Sequence, residues 1–166
     1  MNKILFSDAL FSKDRIYRYA LWRVWDDTLP KVLFIGLNPS TADEIKDDPT
    51  IRRCIGYAKS WGYGGYIMGN IFGYRSTDPK KLRCIDDPIG PDNNYWLKKL
   101  HKEASLTIGA WGNHGKLLNR GDEIIDLINN LYCLKITKEG HPSHPLYLSG
   151  KLKPIIISIR VDFPEP

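Results

Sequence analysis

One arrangement recurs along this chain and limits what it can fold into. A short apolar run rich in β-branched residues halts at a polar or glycine-rich segment, and apolar residues at helical spacing follow. The first run is Val32-Leu33-Phe34-Ile35-Gly36-Leu37, halting at Asn38-Pro39-Ser40. A continuous run, as opposed to an alternating one, is expected of a strand covered on both faces. Asp48 is then placed to cap a helix and Pro49 to open it. Ile51, Cys54, Ile55, Ala58 and Trp61 mark its apolar face, and Gly62, Gly64 and Gly65 end it.

The pattern continues with Tyr66-Ile67-Met68-Gly69, which ends at Asn70 and leads through a proline-rich stretch to a helix over residues 92–104 that buries Leu97, Leu100 and Ala104. Leu106-Thr107-Ile108-Gly109-Ala110 runs into Trp111-Gly112-Asn113-His114. Leu117, Leu118, Ile124, Ile125 and Ile128 line a third helix, and residues 131–137 form a fourth strand ending at Gly140-His141-Pro142-Ser143-His144.

Strands alternating with helices predict an α/β fold: a three-layer α/β/α sandwich with a central, mainly parallel sheet of about four strands, in a single domain over residues 1–166. In such sheets ligands bind outside the carboxyl ends of the strands. Asn38, Asn70, the segment 111–114 and His141 each follow an apolar run, so the fold alone gathers them in one crevice. Residues 17–25 and 155–159 read as additional edge or hairpin strands and are assigned no chemistry.

Composition narrows the class. The 166 residues are 42% apolar and 26% charged, enough for one packed core. A formal net charge of +5 permits a polyanionic partner without demanding one. The run Ile4-Leu5-Phe6 is too short for a signal-peptide core and no run reaches a membrane span, so a cytoplasmic protein with no membrane partner is expected. Cys54, Cys84 and Cys133 are odd in number and scattered, which speaks against a disulfide framework, a zinc knuckle or an iron–sulfur cluster. No cofactor is called for.

The crevice inventory is amide and imidazole, without a carboxylate pair and without Ser or Cys beside a His. Glycosidase work on sugars wants two carboxylates, and phosphoryl transfer wants a glycine loop with a lysine, which GLNPST does not supply. An Asn side chain, with one donor edge and one acceptor edge, complements a nucleobase edge. A neutral His can donate to a developing anion.

Four segments carry a family resemblance. Gly36-Leu37-Asn38-Pro39-Ser40 resembles the first motif of the uracil-DNA glycosylase superfamily in the branches where Asn precedes Pro. Asn70 at a strand end is similar to the base-reading Asn, Ala110-Trp111-Gly112-Asn113-His114 to the Trp-Gly-x-His stretch, and His141-Pro142-Ser143-His144-Pro145-Leu146 to the His-Pro-Ser-Pro-Leu motif. The longer text NPSTADEIKDDPTIRRC is similar to a phage and bacterial family of unassigned function within that superfamily.

The resemblance implies hydrolysis of the N-glycosidic bond of uracil or another altered pyrimidine flipped out of DNA, hence a role in DNA repair. It implies that Asn38 holds the attacking water, that Asn70 reads the base edge and that His141 stabilises the departing base. Trp111 and His114 would join the base site, with Leu146 or Tyr147 as the wedge that fills the vacated stack.

Departures from the motifs qualify this. Asn38 stands where the most active branch has a proton-accepting Asp, which implies a slow enzyme. Ser40 replaces a bulky Tyr, leaving room for a 5-methyl group. The additional His144 leaves open whether it or His141 faces the base. The alternatives are a binding module that recognises a base, nucleotide or modified DNA without cleavage, and an enzyme acting on free nucleotides or hypermodified bases. Arg52 and Arg53, in the first turn of the expected helix, are candidate phosphate contacts against the reading of solvated charges. His141 and His144, each followed closely by proline and with no third ligand, are not read as a metal pair.

Overall fold

The computed structural model describes residues 3–157. Its strands are β1 (Phe6–Phe11), β2 (Arg18–Val24), β3 (Lys31–Gly36), β4 (Gly65–Asn70), β5 (Leu106–Gly109), β6 (Tyr132–Cys133) and β7 (Ile155–Ile156). Its α-helices are α1 (Pro49–Ser60), α2 (Asn93–Glu103) and α3 (Arg120–Leu127).

All seven strands join one sheet in the order β1-β2-β4-β3-β5-β6-β7. β3 pairs in parallel with β4 and β5, and β5 with β6, while β1–β2, β2–β4 and β6–β7 are antiparallel. The expected sandwich around a mainly parallel four-stranded sheet is thereby corrected to a seven-stranded mixed sheet with few helices. The reason lies at the N-terminus: β1 and β2 form a hairpin whose second strand docks antiparallel on β4, with Leu21 opposite Met68 and Val24 opposite Gly65. β2 is therefore a hairpin strand, one of the two alternatives read from residues 17–25, but an interior one rather than an edge. β7 likewise adds antiparallel at the other edge, and the remainder of the run read over residues 155–159 lies outside the described residues.

Side-chain alternation sorts the core into two clusters. Val32 and Phe34 of β3 pack with Ile51, Cys54, Tyr57 and Ala58 of α1, whereas Leu33 and Ile35 pack with Leu97 and Leu100 of α2 and Ile124 of α3. Helix α1 begins where expected. The Asp48 side chain accepts from the Ile51 N–H at 2.8 Å and Pro49 opens the first turn.

Two further expectations are corrected. The fourth strand shrinks to Tyr132–Cys133, because residues beyond it leave the ladder and close a turn in which the Thr137 N–H donates to the His141 carbonyl. The helix read from residues 117–128 breaks at Leu117 and Leu118, where φ turns positive at Leu118 and its side chain is exposed. A 3₁₀ turn, Asn113–Asn119, precedes α3 there. Among the described residues no helix is long and apolar enough to cross a membrane.

Candidate functional site

The C-terminal ends of β3, β4 and β5 open onto a pocket of about 440 Å³, within the range of small-ligand sites. Of the residues singled out from sequence, Asn38, Ser40, Asn70, Trp111, His114 and His144 line it, as does Asn113. His141, Arg52, Arg53, Leu146 and Tyr147 do not.

Asn70, the last residue of β4, is 1% exposed, and neither its Nδ2 nor its Oδ1 has a hydrogen-bond partner. Buried polar atoms are nearly always satisfied, and this amide, with both of its polar atoms buried beside the pocket, keeps one donor and one acceptor unspent. Gly36 makes room for it: a Cβ there would lie 2.9 Å from Asn70 Oδ1 and 2.5 Å from Met68 Cε.

Asn38 follows β3 and is held from behind. Its Nδ2 donates to the carbonyls of Ser76 at 2.8 Å and Pro39 at 3.1 Å. With the donor side committed to backbone, the acceptor Oδ1 is the atom left for the pocket, which suits positioning of a water.

His144 stands at the rim, beside Gly112. A Cβ on Gly112 would lie 3.7 Å from that of His144, and the φ of +70° at Gly112 is one that L-residues avoid. The Leu146 N–H donates to His144 Nδ1 at 3.2 Å. An Nδ1 that accepts puts the proton of the neutral ring on Nε2, making it a donor. Solvent reaches one side of the residue, yet desolvation of the ring by the pocket walls lowers its pKa from the ordinary 6.5 and favours that neutral form.

The remaining candidates are less direct. Trp111 is 1% exposed, and its indole packs over Gly115 and Gly121, so it contributes a wall whose ring belongs to the core. His114 is exposed at the mouth. His141 lies in the turn after β6, where its backbone N–H donates to Thr137 Oγ1 at 3.1 Å. Arg52 and Arg53 line a separate shallow depression with Tyr57 and Gly150, and the Arg53 guanidinium lies 5.3 Å from the Tyr57 ring centre. Leu146 is half-buried beside the rim. Tyr147 is 95% exposed at a φ of +73°, a strained conformation for an aromatic residue.

Sequence reasoning missed two charged residues of the pocket. Arg18, from the first position of β2, and Asp48, read only as a cap, both line it. The signal for Arg18 was present: Arg18 and Arg23 are the charged residues in the otherwise apolar run RYALWRV, where a charge must be either paired or put to use. Among the described residues no cluster of three or more His, Cys, Asp or Glu is arranged to hold a metal ion.

The pocket shares Ser40, Ser76 and Thr77 with an adjoining open groove of about 520 Å³ that carries Arg15, Arg75 and Lys81. A pocket of mixed polar and apolar lining thus adjoins a groove that carries three basic side chains, of which Arg15 is ion-paired with Glu44. No curated protein and no solved structure matches the chain. A family model described as a protein of unknown function, DUF1643, matches residues 18–146, a span that includes every residue lining the pocket, and the chain belongs to that family.

Proposed function

We propose that this pocket seats a pyrimidine-like base and that the protein is a glycosylase-like hydrolase acting on an altered pyrimidine flipped out of DNA, in keeping with the motif resemblance to the uracil-DNA glycosylase superfamily. The observation that carries the reading is Asn70, a buried amide with donor and acceptor both unspent on a pocket wall. An amide edge pairs with the N–H and C=O edge of a pyrimidine. Asn38 Oδ1 then holds the water. His144 Nε2–H donates to the departing base, the role the motif resemblance gave to His141 while the additional His144 left open which of the two faces the base. Tyr147, exposed beside the rim, is the wedge, and the groove with Arg15, Arg75 and Lys81 takes the phosphate backbone.

A second reading, binding without cleavage, is favoured by two facts. Asn38, the residue nearest the expected water, is an amide that cannot accept a full proton, and Asp48 on the pocket wall commits one oxygen to the α1 cap.

Single-stranded and duplex oligonucleotides bearing uracil, mismatched thymine or 5-modified pyrimidines, incubated with the protein and then with alkali, test the proposal. Scission is expected for at least one base, falling on the order of a hundredfold in His144→Ala, the typical loss of a donor aimed at transition-state charge. Base-dependent binding that weakens in Asn70→Ala, with no scission across the panel, selects the binding reading. Neither binding nor scission removes both.

A further inference from the structure

The base-site reading leaves one charged group of the pocket without a task. Arg18, Arg23 and Arg120 are each at most 2% exposed. Arg120 is satisfied at every nitrogen: Nε donates to the Ile71 carbonyl, Nη1 to Glu123 and Nη2 to Asn94 Oδ1. Arg23 is paired with Asp47 at 2.8 Å and reaches four backbone carbonyls. For Arg18 the structure gives one hydrogen bond, from Nη1 to the Ala42 carbonyl at 3.0 Å. Its Nε has none, and among the described residues no carboxylate lies within ion-pair distance.

An uncompensated buried cation is among the costliest features a protein can keep. Burial pulls the Arg18 pKa down to about 10, so the group is still charged at neutral pH. Asp48, on the same pocket wall, favours the charged form through space, but it caps α1 and lies beyond ion-pair distance, so no carboxylate contacts the guanidinium directly.

The strand is distorted to bring Arg18 here. Leu10 pairs with Ala20 but Phe11 pairs with Arg18, so β2 carries one additional residue, Tyr19, at that step. Simple alternation would put residue 18 on the face of Ala20, which packs with α2 and α3. The bulge turns it to the face of α1, where it meets Ala42. Bulges that re-aim a side chain recur beside functional sites.

We propose that Arg18 is the specificity-determining residue of this pocket and that the ligand carries a permanent oxyanion, a carboxylate on the ring or a phosphate on the sugar, which completes the guanidinium. This deepens the base-site reading and rests on it only for the choice of ring-bearing probes. The planar fork of Arg is suited to either oxyanion.

The test is calorimetric titration of the full chain and of Arg18→Gln with uracil, 5-carboxyuracil, deoxyuridine monophosphate, acetate and inorganic phosphate. At least tenfold tighter binding of 5-carboxyuracil or of the monophosphate than of uracil is expected, and which of the two gains identifies the source of the charge. Arg18→Gln should erase that preference, read as the ratio of the charged probe's affinity to that of uracil. If no ring-bearing probe binds but acetate or phosphate binds in an Arg18-dependent way, the anion assignment stands and the base-site reading falls. No preference in the parent chain, a preference that survives Arg18→Gln, or no Arg18-dependent binding of any probe overturns the proposal.

Thermal melting of ligand-free Arg18→Met supplies a second readout that does not need the ligand. Removal of a cation kept for a ligand should raise the midpoint by about 2 °C or more. A fall would mark Arg18 as a structural strut and overturn the proposal.

Discussion

The two ends of β2 carry the same residue type at the same depth and treat it in opposite ways. At the Arg23 end the loop 43–48 closes over the guanidinium. Asp43 Oδ1 accepts the N–H groups of Ile45 and Lys46, which turns the carbonyls of Asp43 and Lys46 onto Arg23 while Asp47 supplies the counter-charge. At the Arg18 end the guanidinium faces a pocket, next to an Asn70 amide with neither edge spent. The saturated end holds the N-terminal hairpin to the start of α1. The unsaturated end leaves Arg18 Nε and the Asn70 amide without partners, and the substitutions below test whether that contrast separates structural from functional polarity within one strand.

The largest test of the comparison is Arg23→Met. It strands the partly exposed Asp47 carboxylate and four part-buried carbonyls, and about 3 kcal/mol of stability should be lost, read by urea denaturation. A loss no greater than the change in Arg18→Met would erase the distinction between the two ends.

A smaller effect is expected from Gly36→Ala on the pocket side. The new methyl collides with Met68 Cε and Asn70 Oδ1. The flexible Met68 side chain can yield, so about 1 kcal/mol of stability is at stake, whereas affinity for a pyrimidine probe should fall about tenfold as the amide is displaced. Unchanged affinity would detach Asn70 from the ligand.

The smallest effect concerns pH. The folded-state pKa of His144 lies below 6.5, so the neutral ring's contribution to stability is present above pH 6.5 and is lost as pH falls below it, while the unfolded chain takes up the proton first. Urea midpoints measured on either side of pH 6.5 should differ less in His144→Gln than in the parent chain. Equal differences would remove His144 from the desolvated rim.

Much of the local structure was legible. Asp48 and Pro49 announced the start of α1, and the spacing of Leu97 and Leu100 announced α2, because caps and helical periodicity act between neighbours in sequence. Asn38 and Asn70 could be assigned to one crevice since each ends an apolar run, and adjacent parallel strands end on the same side of a sheet. The mixed sheet was not legible, because RYALWRV reads equally well as an edge strand or an interior one. Its position depends on pairing with β4, about forty residues later. The kink at Leu117 and Leu118 was hidden by leucines that suit a helix and are overridden by the turn that carries the 113–119 segment past the pocket.

Residue order by itself therefore determined helices α1 and α2, strands β3 to β5, the cap of α1 and the amides at two strand exits, since these follow from interactions across a few bonds or one helical turn. The tertiary structure decided the rest: that β2 enters the sheet antiparallel, that one bulged residue swings Arg18 from one face to the other, and that His144 instead of His141 meets the pocket. Each of those outcomes depends on which distant backbone a side chain meets, and a shift of a single residue in register reverses the face it occupies.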